Sequence, residues 1–449
     1  MRPTILANGL VFSDGYRMIG SVVIDNGIIR DIPMGYLNLA TIDRKNYNVV
    51  DCSGKMILPG VIDEHVHFRE PGLTEKGNIN SESHAALAGG VTTFFDMPNT
   101  NPATTTVEAW ENKMERASEM SAINYAFYMG ATASNLREIF AMDPTRYPGV
   151  KVFMGSSTGN LLLDNDASMH RLFSDYKGVI SVHAECNSII DQNVRRLNAL
   201  YPDGIPLRLH HEVRSREACV EATRRAIGMA RETGARLHVM HISTADELRF
   251  FKEGDVALKR ITAETCPHYL MFTSDSVEQT GGLTKCNPAI KSDDDRRALI
   301  KAVADGRINT VATDHAPHQR LNKSGNALTA ASGMPSVQFS LPIMLQMARK
   351  GYFSYETVVK CLCHNPAEIF NIDRRGALRH NYWADIVVVN PDTEYEITDE
   401  IVRSRCGWTP YAGTRLSFSV EQTWVNGVLA YNKGHFTDQQ NPMPVRFNV

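Results

Sequence analysis

Met56-Ile57-Leu58-Pro59-Gly60-Val61-Ile62-Asp63-Glu64-His65-Val66-His67-Phe68-Arg69-Glu70-Pro71-Gly72 is the stretch on which the reading of this chain turns. An apolar run leads into two histidines spaced i, i+2, and a Pro-Gly turn follows. Side chains alternate along a strand, so His65 and His67 at the end of a buried strand point to one side and reach one metal ion. Histidine is the commonest metal ligand. An isolated pair of this kind carries little weight, and residues further along the chain give it meaning.

Outward from that stretch, apolar strand-like runs alternate with helix-compatible ones. Val91-Thr92-Thr93-Phe94-Phe95, residues 124–129, 150–154, 179–182, 236–240, 260–264 and 310–313 read as strands, and Val107 to Met120 and Arg214 to Glu232 read as helices. Repeated β-then-α order over some three hundred residues predicts an α/β fold, a (β/α)₈ barrel of the TIM type. A doubly wound sheet is the alternative, but no Gly-x-Gly-x-x-Gly follows a strand. Both chain ends are β-rich. Asp25-Asn26-Gly27 between short apolar runs is a hairpin signal, and similar runs return at Ala384–Asn390 and Thr423–Leu429. The expected division is a composite β domain, a small discontinuous β-sandwich, from residues 1–54 and 375–449, and a barrel over 55–374.

The polar residues of chemical interest fall at or near strand ends. His65 and His67 end the first strand, Lys151 lies on the fourth, His183 ends the fifth, His241 the sixth and Asp314 the last. In a barrel the C-terminal ends of the strands share one mouth, so these distant residues become neighbours. Any one of the histidines would more often be an ordinary half-buried ring. Together, at equivalent places in one architecture, they point to a metal site.

Composition bounds the function. The 449 residues are 43% hydrophobic and 22% charged with a formal net charge of -3, which is globular and gives no footprint for nucleic acid or a membrane surface. The first residues lack the apolar stretch of a signal peptide and no run is long enough to span a bilayer, so a cytoplasmic location is expected. The eight scattered cysteines read as reduced thiols. Cys361-Leu362-Cys363-His364 reads as a buried helix face rather than a metal cluster.

From Gly60 to Pro317 the chain resembles the amidohydrolase superfamily, and more narrowly the dihydroorotase family. His65-Val66-His67-Phe68-Arg69-Glu70-Pro71-Gly72 matches that family's first signature. Ala312-Thr313-Asp314-His315-Ala316-Pro317-His318, with Lys323 beyond it, matches the second. Between them stand Met97-Pro98-Asn99-Thr100, Val182-His183-Ala184-Glu185, His241-Ile242-Ser243 and Glu264-Thr265-Cys266-Pro267-His268.

This resemblance implies a two-metal site, with zinc the expected ion. His65, His67 and Asp314 would hold one ion and His183 and His241 the other. Lys151 matches relatives whose lysine is carboxylated by carbon dioxide into an anionic bridge; some dihydroorotases use an aspartate there instead. An unmodified ammonium beside two dications would be repelled. The implied reaction is reversible hydrolysis of the ring amide of dihydroorotate to N-carbamoyl-L-aspartate by a hydroxide shared between the ions, with Asp314 as proton shuttle. Arg69 would grip the substrate carboxylate, with Asn99 and His318 beside it. Asn287 would read the ring amide, although Ala289-Ile290-Lys291 after it departs from the family's usual Pro-Leu-Arg. Ser332 and Gly333, behind a loop rich in small polar residues, would close on the substrate with backbone groups. Allantoinases and hydantoinase or dihydropyrimidinase relatives share the ligands but usually lack an arginine at position 69. A non-catalytic scaffold typically loses ligands, and all are present here. The expected partner is a small-molecule substrate, and a homodimer is left open.

Overall fold

The computed structural model describes residues 2–155, 161–163 and 165–449. In it the opening stretch makes two strands. Met56–Pro59 pairs with Ile386–Asn390 and with Thr4–Ser13 inside a nine-stranded sheet drawn from both chain ends. Gly60 then hands the chain to Val61–Val66, the first barrel strand. A Cβ on Gly60 would stand 2.1 Å from the Thr92 hydroxyl, so the handover admits no side chain.

Seven further strands follow in order: Val91–Asp96, Asn124–Phe127 continued by Met129–Gly130, Gly149–Phe153, Val179–His183, Arg236–Val239, Ile261–Thr265 and Thr310–Val311. Neighbours pair in parallel. The third strand breaks at Tyr128: its first half pairs with the second strand and its second half with the fourth. A parallel bridge from Val66 to His315, with His67 N donating to His315 O at 2.7 Å, joins first to last and closes the barrel. The strands are buried on both faces, which is why they read as continuous apolar runs rather than alternating ones. The helix Arg216–Thr233 lays Ala218, Cys219, Ala222, Ala226, Ile227 and Ala230 against them, a stripe of helical period. Asn78 and Ser292 start the helices Ile79–Ala88 and Asp293–Asp305 with capping boxes.

The composite sheet uses its two faces differently. Ile57, Ile386 and Val388 join Leu6, Val22 and Trp424 in the sheet's own core, whereas Met56, Leu58, Val387 and Val389 join the barrel's cluster. That is the period of two expected of strands. At the junction Asp385 is paired with Arg375 and accepts from Asn426 N at 2.8 Å and Asn124 Nδ2 at 3.2 Å. The C-terminal segment returns to the barrel: Tyr125 N donates to Met443 O, and Val445 N to Tyr125 O.

All eight cysteines are free. Cys361 and Cys363 lie buried in the helical turn Lys360–His364, as the sequence suggested. Among the described residues no helix is long and apolar enough to cross a membrane.

Candidate active site

The C-terminal strand ends open into a cavity of about 490 Å³. All twelve residues singled out from the sequence line it: His65, His67, Arg69, Asn99, Lys151, His183, His241, Asn287, Asp314, His318, Ser332 and Gly333. They come from seven of the eight barrel strands and the loops that follow them, so the closed barrel is what assembles them.

At its base three acceptors converge. His65 Nδ1 donates to Glu264 Oε1 at 2.8 Å, and His67 Nδ1 to Asn99 Oδ1 at 2.8 Å. Each ring therefore keeps its proton on Nδ1 and leaves Nε2 bare. Those two Nε2 atoms lie 3.2 and 3.0 Å from one oxygen, Asp314 Oδ1. Burial lowers His67 to about 4, so its ring is neutral. Two lone pairs facing a carboxylate repel unless a cation stands among them, and nitrogen with oxygen donors suits a divalent ion of the zinc type. The residues present fit a metal.

A second donor group adjoins the first. The His241 ring lies 5.4 Å from His65 and 4.6 Å from His183, centre to centre. His183 Nε2 donates to Glu185 Oε2 at 2.9 Å, which leaves its Nδ1. Glu185 is ion-paired with Arg214. Burial drives His241 well below its usual range, and its Nδ1 has no partner among the described residues. Lys151 is fully buried, its Nζ 2.7 Å from Met240 Sδ. Burial lowers its amine to about 8. Glu264 acts on both sides, accepting from His65 through Oε1 and from His241 N at 3.0 Å through the same atom.

Arg69, His241 and Asp314 all take left-handed backbone angles, φ +69°, +43° and +46°. Such residues cost about 1–3 kcal/mol each and persist where the surroundings fix them. Here the strand ends turn sharply so that each side chain faces the cavity.

Above the base the cavity is cationic. Arg69 is 3% exposed, with Nε donating to Pro317 O at 3.1 Å and Nη2 lying 3.1 Å from His318 Nε2. Among the described residues no carboxylate pairs with it. Burial lowers it to about 10, so it stays charged at neutral pH. His318 is driven down to about 2 by burial and then by Arg69, and is neutral. Its Nε2 also lies 3.0 Å from Ser332 O, and it serves either that oxygen as donor or Arg69 as acceptor, one at a time. His210 Nε2 lies 3.1 Å from both Asn287 Oδ1 and Cys286 O. Two acceptors require a donor, so the Asn287 NH₂ is left for the cavity.

His210, Arg214 and Lys285 also line the cavity, and sequence reasoning assigned them nothing. The available signals were proximity in sequence: Lys285 stands two residues before Asn287, and Glu185, Arg214's partner, two after His183.

A sequence profile of the amidohydrolase family matches residues 56–430. Dihydroorotase from Halobacterium salinarum is 34% identical over 412 residues, 88% of this chain and 92% of that protein. Allantoinase from Bacillus velezensis is 32% identical over 88% of this chain and 87% of its own length. The solved structure of L-hydantoinase (dihydropyrimidinase) from Arthrobacter aurescens superposes with a TM-score of 0.92 at 26% identity, covering 99% of this chain and all of that one.

Proposed function

The chain belongs to the amidohydrolase family, and we propose that it acts there as a dihydroorotase, interconverting dihydroorotate and N-carbamoyl-L-aspartate. It is a metal-dependent cyclic amidohydrolase. The observation that carries the substrate assignment is Arg69, a buried guanidinium without a carboxylate partner among the described residues, facing the cavity that holds the histidine cluster. A buried unpaired cation is costly, and a carboxylate supplied by the substrate repays that cost.

In this proposal His65, His67 and Asp314 would hold one cation and His183 and His241 the other, and a carbamate on Lys151 would supply them with an anionic ligand. Forming that carbamate joins the neutral amine nitrogen to carbon dioxide and releases one proton. When bound, two zinc ions would lower the pKa of a water to about neutrality and polarise the scissile carbonyl. Arg69 grips the ring carboxylate, with Asn99 and His318 beside it, and Asn287 donates to a ring carbonyl. Asp314 takes the proton of the attacking water and returns it to the leaving ring nitrogen. Glu264 and Glu185 hold His65 and His183 in the tautomers this requires. The proposal also assigns the chemistry to residues 55–374 of a cytoplasmic enzyme, with 1–54 and 375–449 as an accessory β domain.

The allantoinase and hydantoinase likenesses favour a second reading, a cyclic amidase for rings without a carboxylate. Arg69 has no task in that reading. Hydrolysis of dihydroorotate, allantoin and dihydrouracil by the purified protein separates the two: dihydroorotate should be strongly preferred, and preference for either other ring would overturn the assignment.

A further inference from the structure

Four successive carbonyls, Ala330 to Gly333, edge the cavity, and each lies against a side-chain nitrogen. Lys285 Nζ donates to Ala330 O. Lys323 Nζ donates to Ala331 O at 2.7 Å, Gly333 O at 2.6 Å and Lys285 O at 2.9 Å. His318 Nε2 is 3.0 Å from Ser332 O. An ammonium has three protons, and those of Lys323 meet three carbonyls from two separate loops.

The amides of this strap are nearly as fully engaged. Ala330 N donates to Asn326 O, Ala331 N to Asn322 O and Gly333 N to Lys285 O. Ser332 N is the one without an acceptor among the described residues, and Ser332 lines the cavity. Gly333 adopts φ +122°, and a Cβ there would stand 2.7 Å from the Ala316 Cβ. The strap is therefore set from both sides.

Its fasteners are charged. Lys323 and Lys285 are 2% and 4% exposed, and among the described residues neither meets a carboxylate at ion-pair distance. A loop that needed only to be ordered could be held by neutral amides or hydroxyls, without the cost of burying ammonium groups. Arg69 and Lys285 on the cavity wall and Lys323 behind the strap thus make three buried cationic groups that no carboxylate pairs with among the described residues.

We propose that Lys323 and Lys285 are positioning residues, a two-lysine clamp that sets the strap so that the Ser332 amide and the Arg69–His318 pair meet an anionic substrate. The proposal rests on the carboxylate-binding reading of the site given above. The clamp is also able to let go. Burial lowers Lys323 to about 7 and Lys285 to about 8. The charged or titratable groups facing Lys323 are Lys285, Arg69, His318 and Cys286, and Lys323, Arg214, His210 and Cys286 face Lys285. The Cys286 thiol is pushed up to about 12 by burial and stays neutral. A deprotonated Lys323 has two protons for three carbonyls and no charge. Because the unfolded chain holds these protons more tightly, raising the pH through this window favours the fold. Weaker substrate binding there is therefore not unfolding.

The test uses the metal-loaded full chain, with kcat and KM for dihydroorotate measured between about pH 6.5 and 9.5. Wild-type KM should climb above about pH 7–8 as the clamp titrates. Lys323→Met should raise KM about tenfold or more at neutral pH and flatten that climb, with kcat and bound metal little changed. Lys285→Met should do the same to a smaller degree. Lys323→Arg should not rescue, because a planar guanidinium cannot address three converging carbonyls. Trp408 supplies a readout free of substrate: its ring centre lies 5.9 Å from Lys323 Nζ and its Nε1 donates to His318 O at 2.8 Å. Its emission should titrate with Lys323 in the wild type and not in Lys323→Met. Unchanged KM in Lys323→Met, or a loss confined to kcat or metal, would overturn the clamp. If Lys323→Met does not fold, the wild-type titrations and Lys285→Met decide by the same criteria. Should the wild type ignore dihydroorotate while the Trp408 titration depends on Lys323, the function assignment fails and the clamp's geometry stands.

Discussion

Asp314 combines a left-handed backbone with a carboxylate oxygen 3.0 and 3.2 Å from two imidazole nitrogens, so one residue is asked both to ligate and to move a proton. Asp314→Ala should therefore lose bound metal and at least about 10²–10⁴-fold in turnover, while circular dichroism shows an intact fold; near wild-type rates would remove Asp314 from the mechanism. Arg69→Met tests the neighbouring function separately. Losing a hydrogen bond to a charged group costs about 1.5–3 kcal/mol, or roughly 10- to 150-fold in kcat/KM for dihydroorotate. Dihydrouracil, which has no carboxylate, should be spared, and an equal loss on both substrates would mean that Arg69 only supports the fold. Residues such as these were legible because strand ends in a barrel share one mouth, and polar residues there interrupt apolar runs. Lys285 and Arg214 were not: a lysine in a loop, or an arginine at the start of a helix, looks like solvated surface, and only the closing of distant loops buries it.

Helix Val107–Met120 shows how an element holds the site from behind. Lys113 is 1% exposed, is paired with Asp96 at the end of the second barrel strand, and donates to Met97 O at 3.1 Å. Asp96 Oδ1 in turn accepts from Phe68 N at 2.7 Å, fixing the loop that carries His67 and Arg69. Removing one partner of a buried pair leaves the other charge uncompensated, so Lys113→Met should destabilise the protein by about 3–5 kcal/mol in denaturant titration. A loss under about 1 kcal/mol would show the pair to be no better than a surface one. The helix itself was legible from its period. Lys113 was not, since a lysine among Glu and Asn residues reads as the solvent face. The strand register was likewise only partly readable: Met56 to Ile62 looked like one run, and Gly60, which must clear Thr92, divides it between two sheets.

Across the whole molecule the two chain ends meet beside the barrel, and the last residues pack beneath it. That both ends were β-rich was plain from composition. Which strand pairs with which depends on contacts more than three hundred residues apart, such as Ile386 with Pro59, and no local signal encodes them. The C-terminal segment was assigned with the rest of 375–449 to the composite β domain, yet Phe447 is 5% exposed and sets its ring 5.7 Å from Phe95 of the barrel, whose other neighbours are Tyr128 and Phe370. Phe95 is on the second barrel strand, but none of these four rings lines the catalytic cavity. Phe447→Ala should open a void in this cluster and cost about 3–5 kcal/mol, a large share of the roughly 5–15 kcal/mol that stabilises a typical native protein. Because none of these rings lines the cavity, the folded fraction should keep its metal and its kcat/KM. Denaturant titration gives the first quantity, and metal content with steady-state kinetics in the absence of denaturant gives the second. Loss of activity at full folding would show that the aromatic cluster sets the strands that carry the site; unchanged stability would show that the segment merely rests on the barrel.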